Sequence, residues 1–123
     1  MTGFAFRISG EASVPPFEQL RAQVVEGVRE GRLTAGERLP TVRALADELG
    51  LAANTVAKAY RELEQDGVIE TRGRSGTFIA AHGDAAHRSV QEAAAEYAAL
   101  ARRLRVPADD ALAIVDAALR IGT

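Results

Sequence analysis

Four polar residues recur at the spacing of one helix face. Asn54, Lys58, Arg61 and Gln65 fall together on a wheel of about 100° per residue, and the segment from Leu49 to Arg61 carries no acid. Asparagine can bond adenine through two hydrogen bonds, and threonine, as at Thr55, can contact a thymine methyl group or a phosphate. Lysine and arginine bind phosphate or base edges. The chemistry indicated is nucleic-acid recognition, and the alternative is an ordinary solvated helix face.

Catalytic and metal-binding patterns are weak by comparison. His82 and His87 lie five residues apart with Asp84 between them, but no third ligand, paired acid or nucleophile is convincingly placed. The chain has no cysteine, which excludes thiolate metal sites and a cysteine nucleophile. We therefore expect no enzyme activity, no metal and no cofactor.

A helix-turn-helix is predicted to position the polar face. Thr41 is a suitable N-cap for a second helix, and a third helix runs from about Ala53 to Asp66 and ends at Gly67. The short segment Gly50-Leu51-Ala52 joins them, which is typical of the motif. Because Ala52 and Ala53 offer no capping side chain, the third helix begins uncapped. The apolar residues expected to face inward are Leu45, Ala46, Leu49, Val56, Ala59, Tyr60 and Leu63.

Arg43 lies one turn into the second helix, where the first helix of such a motif meets the DNA backbone. Thr41, beside it, could be both helix cap and phosphate donor. The alternative for Arg43 is a surface ion pair with Asp47 at i,i+4.

The segments that flank this motif predict a helix before it and a hairpin after it. Pro15-Pro16 opens a first helix, which Gly31 closes. Val68–Arg72 and Thr77–Ala80 are two short strand candidates, joined by a loop at Gly73–Gly76. The apolar stripe of the first helix consists of Phe17, Leu20, Val24 and Val28, and Phe4, Phe6 and Ile8 alternate as in a short strand.

The hairpin places Arg72 and Arg74 around a glycine in a narrow loop. Such a wing can enter a minor groove or grip phosphate. The alternative is an exposed hairpin with solvated arginines. Three helices followed by this hairpin predict a mainly α fold of the winged helix-turn-helix type, with a small β-hairpin wing.

Two more helices are expected after a linker at Ala81–Ala86. One runs from His87 to about Arg105, Pro107 marks a break, and Asp109 and Asp110 suit the start of the next. Together they form a helical hairpin whose apolar stripes predict a dimer interface, with an intrachain core as the alternative. The predicted interface comprises Val90, Ala94, Tyr97, Leu100, Ala101, Leu104, Leu112, Val115 and Leu119.

The composition of the chain indicates which cellular compartment and which class of binding partner to expect. Apolar residues make up 47% of the 123 residues, enough for a core, and no run approaches the ~20 residues of a membrane span. No signal peptide is evident at the start, so a soluble cytoplasmic protein is expected. The net charge of −2 and pI of about 5.7 are low for a nucleic-acid binder, so a winged-helix module for protein–protein contact is the rival function.

The sequence strongly resembles the GntR family of bacterial regulators. The motifs are Leu39-Pro-Thr-Val-Arg-Ala-Leu-Ala-Asp-Glu-Leu-Gly50, Ala53-Asn-Thr-Val-Ala-Lys-Ala-Tyr-Arg-Glu-Leu-Glu64 and Gly67-Val-Ile-Glu-Thr-Arg72. The run Asn-Thr-Val-Ala-x-Ala-Tyr-Arg-Glu-Leu, with only a short C-terminal extension, is similar to the YtrA subfamily.

This resemblance implies a homodimer that binds a near-palindromic operator and represses a nearby operon, often one for a membrane transporter. It covers about residues 13–80 and implies that the C-terminal helix pair is the dimerisation unit. We therefore predict a DNA-binding domain over residues 1–80 and a helical dimerisation domain over residues 87–121. A small-molecule effector is left unknown. The predicted DNA-binding residues are Thr41, Arg43, Asn54, Thr55, Lys58, Arg61, Arg72, Arg74, Ser75 and Gly76.

Overall fold

The computed structural model describes residues 4–10, 13–83 and 85–121, and Asp84 lies outside this part of the chain. None of the described helices is long and apolar enough to cross a bilayer. Five α-helices and a two-stranded antiparallel sheet are formed. They are α1 (Pro16–Arg29), α2 (Val42–Leu49), α3 (Ala53–Gln65), β1 (Ile69–Thr71), β2 (Thr77–Ile79), α4 (Ala85–Arg103) and α5 (Ala108–Arg120).

One core joins the first three helices to the sheet. The apolar stripe of α1 contributes Leu20 and Val24, and the inner face of α3 is fully buried, as predicted. Ile69 and Ile79 face each other across the sheet and close the core from its other side. The prediction of a mainly α winged helix-turn-helix with a β wing is confirmed. The buried apolar residues of this core are Leu20, Val24, Leu33, Leu39, Leu45, Ala46, Val56, Ala59, Tyr60, Leu63, Ile69 and Ile79.

Local contacts fix the start of α2 against α3. The side chain of Thr41 accepts a hydrogen bond from the backbone N–H of Ala44 (3.1 Å), so the predicted cap is confirmed. Tyr60 in α3 donates its phenolic hydroxyl to the carbonyl of Pro40 (2.7 Å). Ala52 caps α3 without a side-chain hydrogen bond, also as predicted. The first turn of α2 is therefore held to the middle of α3.

Replacing Tyr60 with phenylalanine should lower the free energy of unfolding by about 1 kcal/mol, because the carbonyl of Pro40 loses its donor. Burial raises the pKa of the Tyr60 phenol well above its ordinary value. In the unfolded chain the Tyr60 phenol ionises near pH 10, whereas in the folded chain it stays protonated there. Its contribution to the free energy of unfolding is therefore complete below about pH 10 and falls as the pH rises further. Urea titrations of both proteins at pH 7 and above pH 10 measure both effects. An unchanged midpoint at pH 7 would show that the hydrogen bond contributes nothing.

The sheet gains a third backbone partner that sequence patterns did not indicate. The chain before α2 runs along β2, where Gly36 and Leu39 donate to the carbonyls of Ile79 and Thr77 (both 2.8 Å). The N–H of Ile79 in turn donates to the carbonyl of Glu37 (2.9 Å). The far edge of the hairpin is therefore covered, and Arg38 lies opposite Phe78 of β2.

The prediction of a strand at Phe4–Ile8 is wrong. The segment is extended, and Phe4, Phe6 and Ile8 do pack on the core, but no strand of the described chain pairs with it. Two glutamine side chains of α1 replace the missing strand. Gln19 accepts from the N–H of Ser9 (2.8 Å) and donates to its carbonyl (3.0 Å), while Gln23 makes the same pair of bonds with Arg7.

The C-terminal helices form the expected helical hairpin. The helix α4 begins two residues earlier than predicted, and α5 carries Asp109 and Asp110 in its first turn. Tyr97 donates its hydroxyl to the carbonyl of Ala111 (2.6 Å), and Ala111 is the buried residue of α5. The pair is thus joined by a narrow contact, which leaves most of its apolar surface uncovered.

Candidate nucleic-acid interface

The exposed face of α3 carries the predicted base-reading residues. Asn54 and Arg61 are exposed, and neither side chain has a hydrogen-bond or ion-pair partner among the described residues. Thr55 is half-buried. Lys58 is exposed, but its ammonium group lies 3.9 Å from the ring centroid of Phe17 in α1. The side chains of Asn54 and Arg61 are therefore free to bind a ligand.

The start of α2 adds a further cation beside α3. Arg43 is exposed and forms no ion pair with Asp47, so the alternative suggested by the i,i+4 spacing does not occur. Thr41 is exposed at the same helix end, with its hydroxyl engaged in the cap. Since Tyr60 holds this turn to α3, the backbone that carries Arg43 is positioned beside the polar face.

The two wing arginines differ in their surroundings. Arg72 forms an ion pair with Glu70 (2.5 Å), and its guanidinium lies 4.5 Å from the ring centroid of Phe78. Arg74 and Ser75 are exposed in the short 3-10 turn at the tip of the hairpin, and Arg74 has no partner in the described part of the chain. Of the two wing arginines, Arg74 is therefore free to bind, whereas Arg72 is engaged within the hairpin.

Arg38 also reaches the wing, which the sequence patterns did not predict. A Cβ atom added at Gly76 would lie 2.8 Å from its Nε and 3.2 Å from its Nη2, so the guanidinium crosses the wing directly over this glycine. Gly76 has φ of +115° and ψ of −161°, a conformation that only glycine adopts readily. The pairing of residues 36–39 with β2 brings Arg38 here, and no local pattern could have indicated it.

Replacing Gly76 with alanine should lower the free energy of unfolding by about 1–3 kcal/mol, mainly because of its backbone conformation. The contact between the new methyl group and the guanidinium of Arg38 adds little to this cost, because the flexible Arg38 side chain can move away. Urea denaturation checks the value. Gly10→Ala is the matched control, since nothing lies within 4 Å of a Cβ there and its φ is not positive. Equal stability of the two variants would contradict the expectation.

The predicted dimer residues on α4 and α5 are mostly exposed in the single chain. Val90 is 68% exposed, Leu104 62%, and Leu112 and Leu119 are each 71%. The intrachain-core alternative is wrong for these residues and for Leu100, because they do not pack inside the chain. Tyr97, Ala101 and Val115 are half-buried, and Ala94 faces a cleft beside the sheet.

The histidines form no metal centre within the described ranges. There, no three His, Asp or Glu side chains lie close enough together to hold an ion. The site of interest is therefore the surface made by α2, α3 and the wing, with Arg43, Asn54, Arg61 and Arg74 exposed on it. This arrangement defines a winged helix-turn-helix protein of the DNA-binding class.

The comparison with known proteins identifies the family. Residues 16–79 match the family model of bacterial regulatory proteins, gntR family. The chain is 53% identical to the HTH-type transcriptional regulator Rv1152 of Mycobacterium tuberculosis, over 86% of this chain and 87% of that protein. It therefore belongs to the GntR family and is a transcriptional regulator with a DNA-binding domain.

Two further relatives support the YtrA subfamily. The HTH-type transcriptional repressor YtrA of Bacillus subtilis is 42% identical over 59% of this chain and 56% of its own length. The structure of YtrA from Sulfolobus acidocaldarius, a GntR-family transcription factor, superposes with a TM-score of 0.58 at 30% identity. That superposition covers 78% of this chain and 97% of the other.

Proposed function

We propose that this regulator is a repressor that binds a near-palindromic operator as a homodimer, with residues 1–80 on the DNA and residues 87–121 forming the dimer contact. The observation that carries the proposal is that three arginines, Arg43 on α2, Arg61 on α3 and Arg74 on the wing, are exposed and have no partner in the described chain. Asn54, the exposed amide in the first turn of α3, lies on the same helix face as Arg61. Local positive charge of this kind grips phosphate even on a chain with net negative charge.

Repression and the transporter operon are part of the same proposal. The Bacillus subtilis relative is named as a transcriptional repressor. A small dimer that occupies an operator overlapping a promoter excludes polymerase without any further domain. Control of a neighbouring transporter operon is the hypothesis that we attach to the subfamily resemblance.

The proposed dimer is supported by the uncovered apolar row on α4 and α5. Four of the predicted interface side chains, on α4, on α5 and in the turn after α4, are more than three-fifths exposed and leave an apolar surface that a monomer in water would keep hydrated. A twofold axis would place two DNA-binding domains so that they read two half-sites, which explains why a palindrome is expected.

The test is fluorescence anisotropy with the DNA upstream of the protein's own gene, across a salt series and against scrambled DNA. Three unpaired arginines on each of two protomers give up to six phosphate contacts, so the slope of log K against log salt should approach about −5. Binding that weakens with salt and exceeds scrambled DNA supports the proposal.

The variant Arg43→Ala separates DNA binding from a protein-adaptor role, because a DNA reader loses affinity and an adaptor does not. Arg29→Ala is the matched control, since Arg29 is also an exposed arginine but lies at the end of α1 in an ion pair with Glu26. Equal loss in the two variants, or no loss in either, would count against the proposed surface.

A further inference from the structure

A cleft separates the sheet from α4. It has a volume of about 740 Å³, within the range of small-molecule sites. One wall is the chain before α2 together with Phe78 of β2, and the other is the face of α4 that carries Gln91, Ala95, Ala98 and Arg102. Because Ala94, Ala95 and Ala98 on that face are small, the space between the walls stays open.

The two walls are held at a fixed distance at one end. A Cβ added at Gly36 would lie 2.6 Å from the Cβ of Ala95, so the loop and α4 touch there. At the same end of α4, the amide of Gln91 accepts from the N–H of His82 and donates to its carbonyl, both at 2.9 Å. These contacts fix the position of α4 relative to the loop that forms the other wall of the cleft.

Two cations from different walls line the cleft. Arg38 comes from the chain paired with β2 and Arg102 from the last turn of α4, and neither forms an ion pair in the described part of the chain. The acid of the lining, Glu37, is engaged locally, since its carboxylate accepts from the N–H of Thr34 (3.2 Å). Guanidinium groups bind carboxylates and phosphates through paired hydrogen bonds.

We propose that this cleft is a regulatory site for a small organic anion, a carboxylate or phosphate monoester with a compact apolar body. The anionic group is held by Arg38 and Arg102, and the apolar body lies over Ala95, Ala98 and Phe78. Because the guanidinium of Arg38 lies across Gly76, a ligand that draws Arg38 into the cleft removes it from the wing. Ligand binding in the cleft is thereby coupled to the position of the wing. The regulatory effect of this coupling rests on the proposed operator binding, whereas ligand binding itself does not.

The experiment is an NMR titration of the full chain, without DNA, with phenyl phosphate and with benzoate, and with benzyl alcohol as the neutral control. The expected result is saturable shifts at Arg38, Phe78, Ala95 and Ala98 with at least one anion and none with the alcohol. Arg102→Gln should weaken binding about tenfold or more, whereas Arg103→Gln, one residue away and outside the lining, should not. Ala98→Phe should block the cleft and Ala99→Phe should leave it open.

Some outcomes would overturn the proposal. These are the absence of shifts with both anions at millimolar concentration, or equal effects of Arg102→Gln and Arg103→Gln. If Arg38→Gln weakens operator binding while neither anion binds, Arg38 is a DNA phosphate contact and the cleft is not a ligand site. If the anions bind but operator affinity is unchanged in their presence, the site exists and its coupling to the wing is wrong. Absence of any operator binding affects only the proposed function, because the titration contains no DNA.

Discussion

Replacing Asn54 with alanine is expected to lower affinity for the operator by about 1–3 kcal/mol, which is roughly 5- to 150-fold, while leaving affinity for scrambled DNA nearly unchanged. The reason is that Asn54 is exposed in the first turn of α3, where the amide has no partner in the described chain to satisfy. Removing a pair of hydrogen bonds to one base removes sequence discrimination but little charge attraction. Anisotropy titrations with operator and scrambled duplexes at one salt concentration measure the ratio.

Arg61→Ala is the matched comparison on the same helix face. It should weaken binding to the operator and to scrambled DNA alike. The slope of log K against log salt should become smaller in magnitude by about one for each phosphate that the variant no longer neutralises. Gln65→Ala, at the far end of the face, should change neither quantity. If Asn54→Ala weakens both duplexes equally, Asn54 is a positioning contact and another residue reads the bases.

Replacing Leu112 with glutamate is expected to convert the proposed dimer to a monomer and to reduce operator affinity by about 10²- to 10⁴-fold, because losing the second half-site removes the gain that comes from tethering two DNA-binding domains. The side chain is 71% exposed in the single chain, so the change costs the monomer little, while a buried charge in a dimer interface is expensive. Sedimentation equilibrium gives the mass and anisotropy gives the affinity.

Ala113→Glu is the control for this variant. Ala113 is the next residue of α5 and also exposed, but it lies on the polar side of the helix, between Asp109 and Asp110 on a wheel of about 100° per residue. It should stay dimeric and bind DNA like the unaltered protein. A Leu112→Glu protein that remains a dimer would show that another surface joins the protomers.

The helix-turn-helix was predictable because its signals are local. Thr41 caps α2 through its own side chain, and Val56, Ala59, Tyr60 and Leu63 follow the period of a helix, so burial of one face requires exposure of the opposite one. The boundaries of α3 were predicted to within one residue for the same reason. Nothing in these features depends on distant parts of the chain.

The features that sequence patterns did not predict depend on interactions between distant residues. Arg38 reaches the wing because its backbone pairs with Thr77–Ile79, about forty positions later in the chain. Arg72 is engaged with Glu70 and Phe78, which a hairpin pattern alone does not distinguish from a free wing arginine. The segment Phe4–Ile8 has apolar residues that pack on the core, as a strand would, but its backbone partners are side chains.

The side chains of Gln19 and Gln23 match the spacing of the extended segment that they bind. Gln19 and Gln23 are one helical turn apart, a rise of about 6.0 Å, and the residues they bind, Ser9 and Arg7, are two apart in an extended chain, a rise of about 6.6 Å. The near match lets a row of side-chain amides on a helix imitate the edge of a sheet. Since the bonds reach only main-chain atoms, we expect the side chains at positions 7 and 9 to tolerate substitution, provided that the four-residue interval between the glutamines is kept.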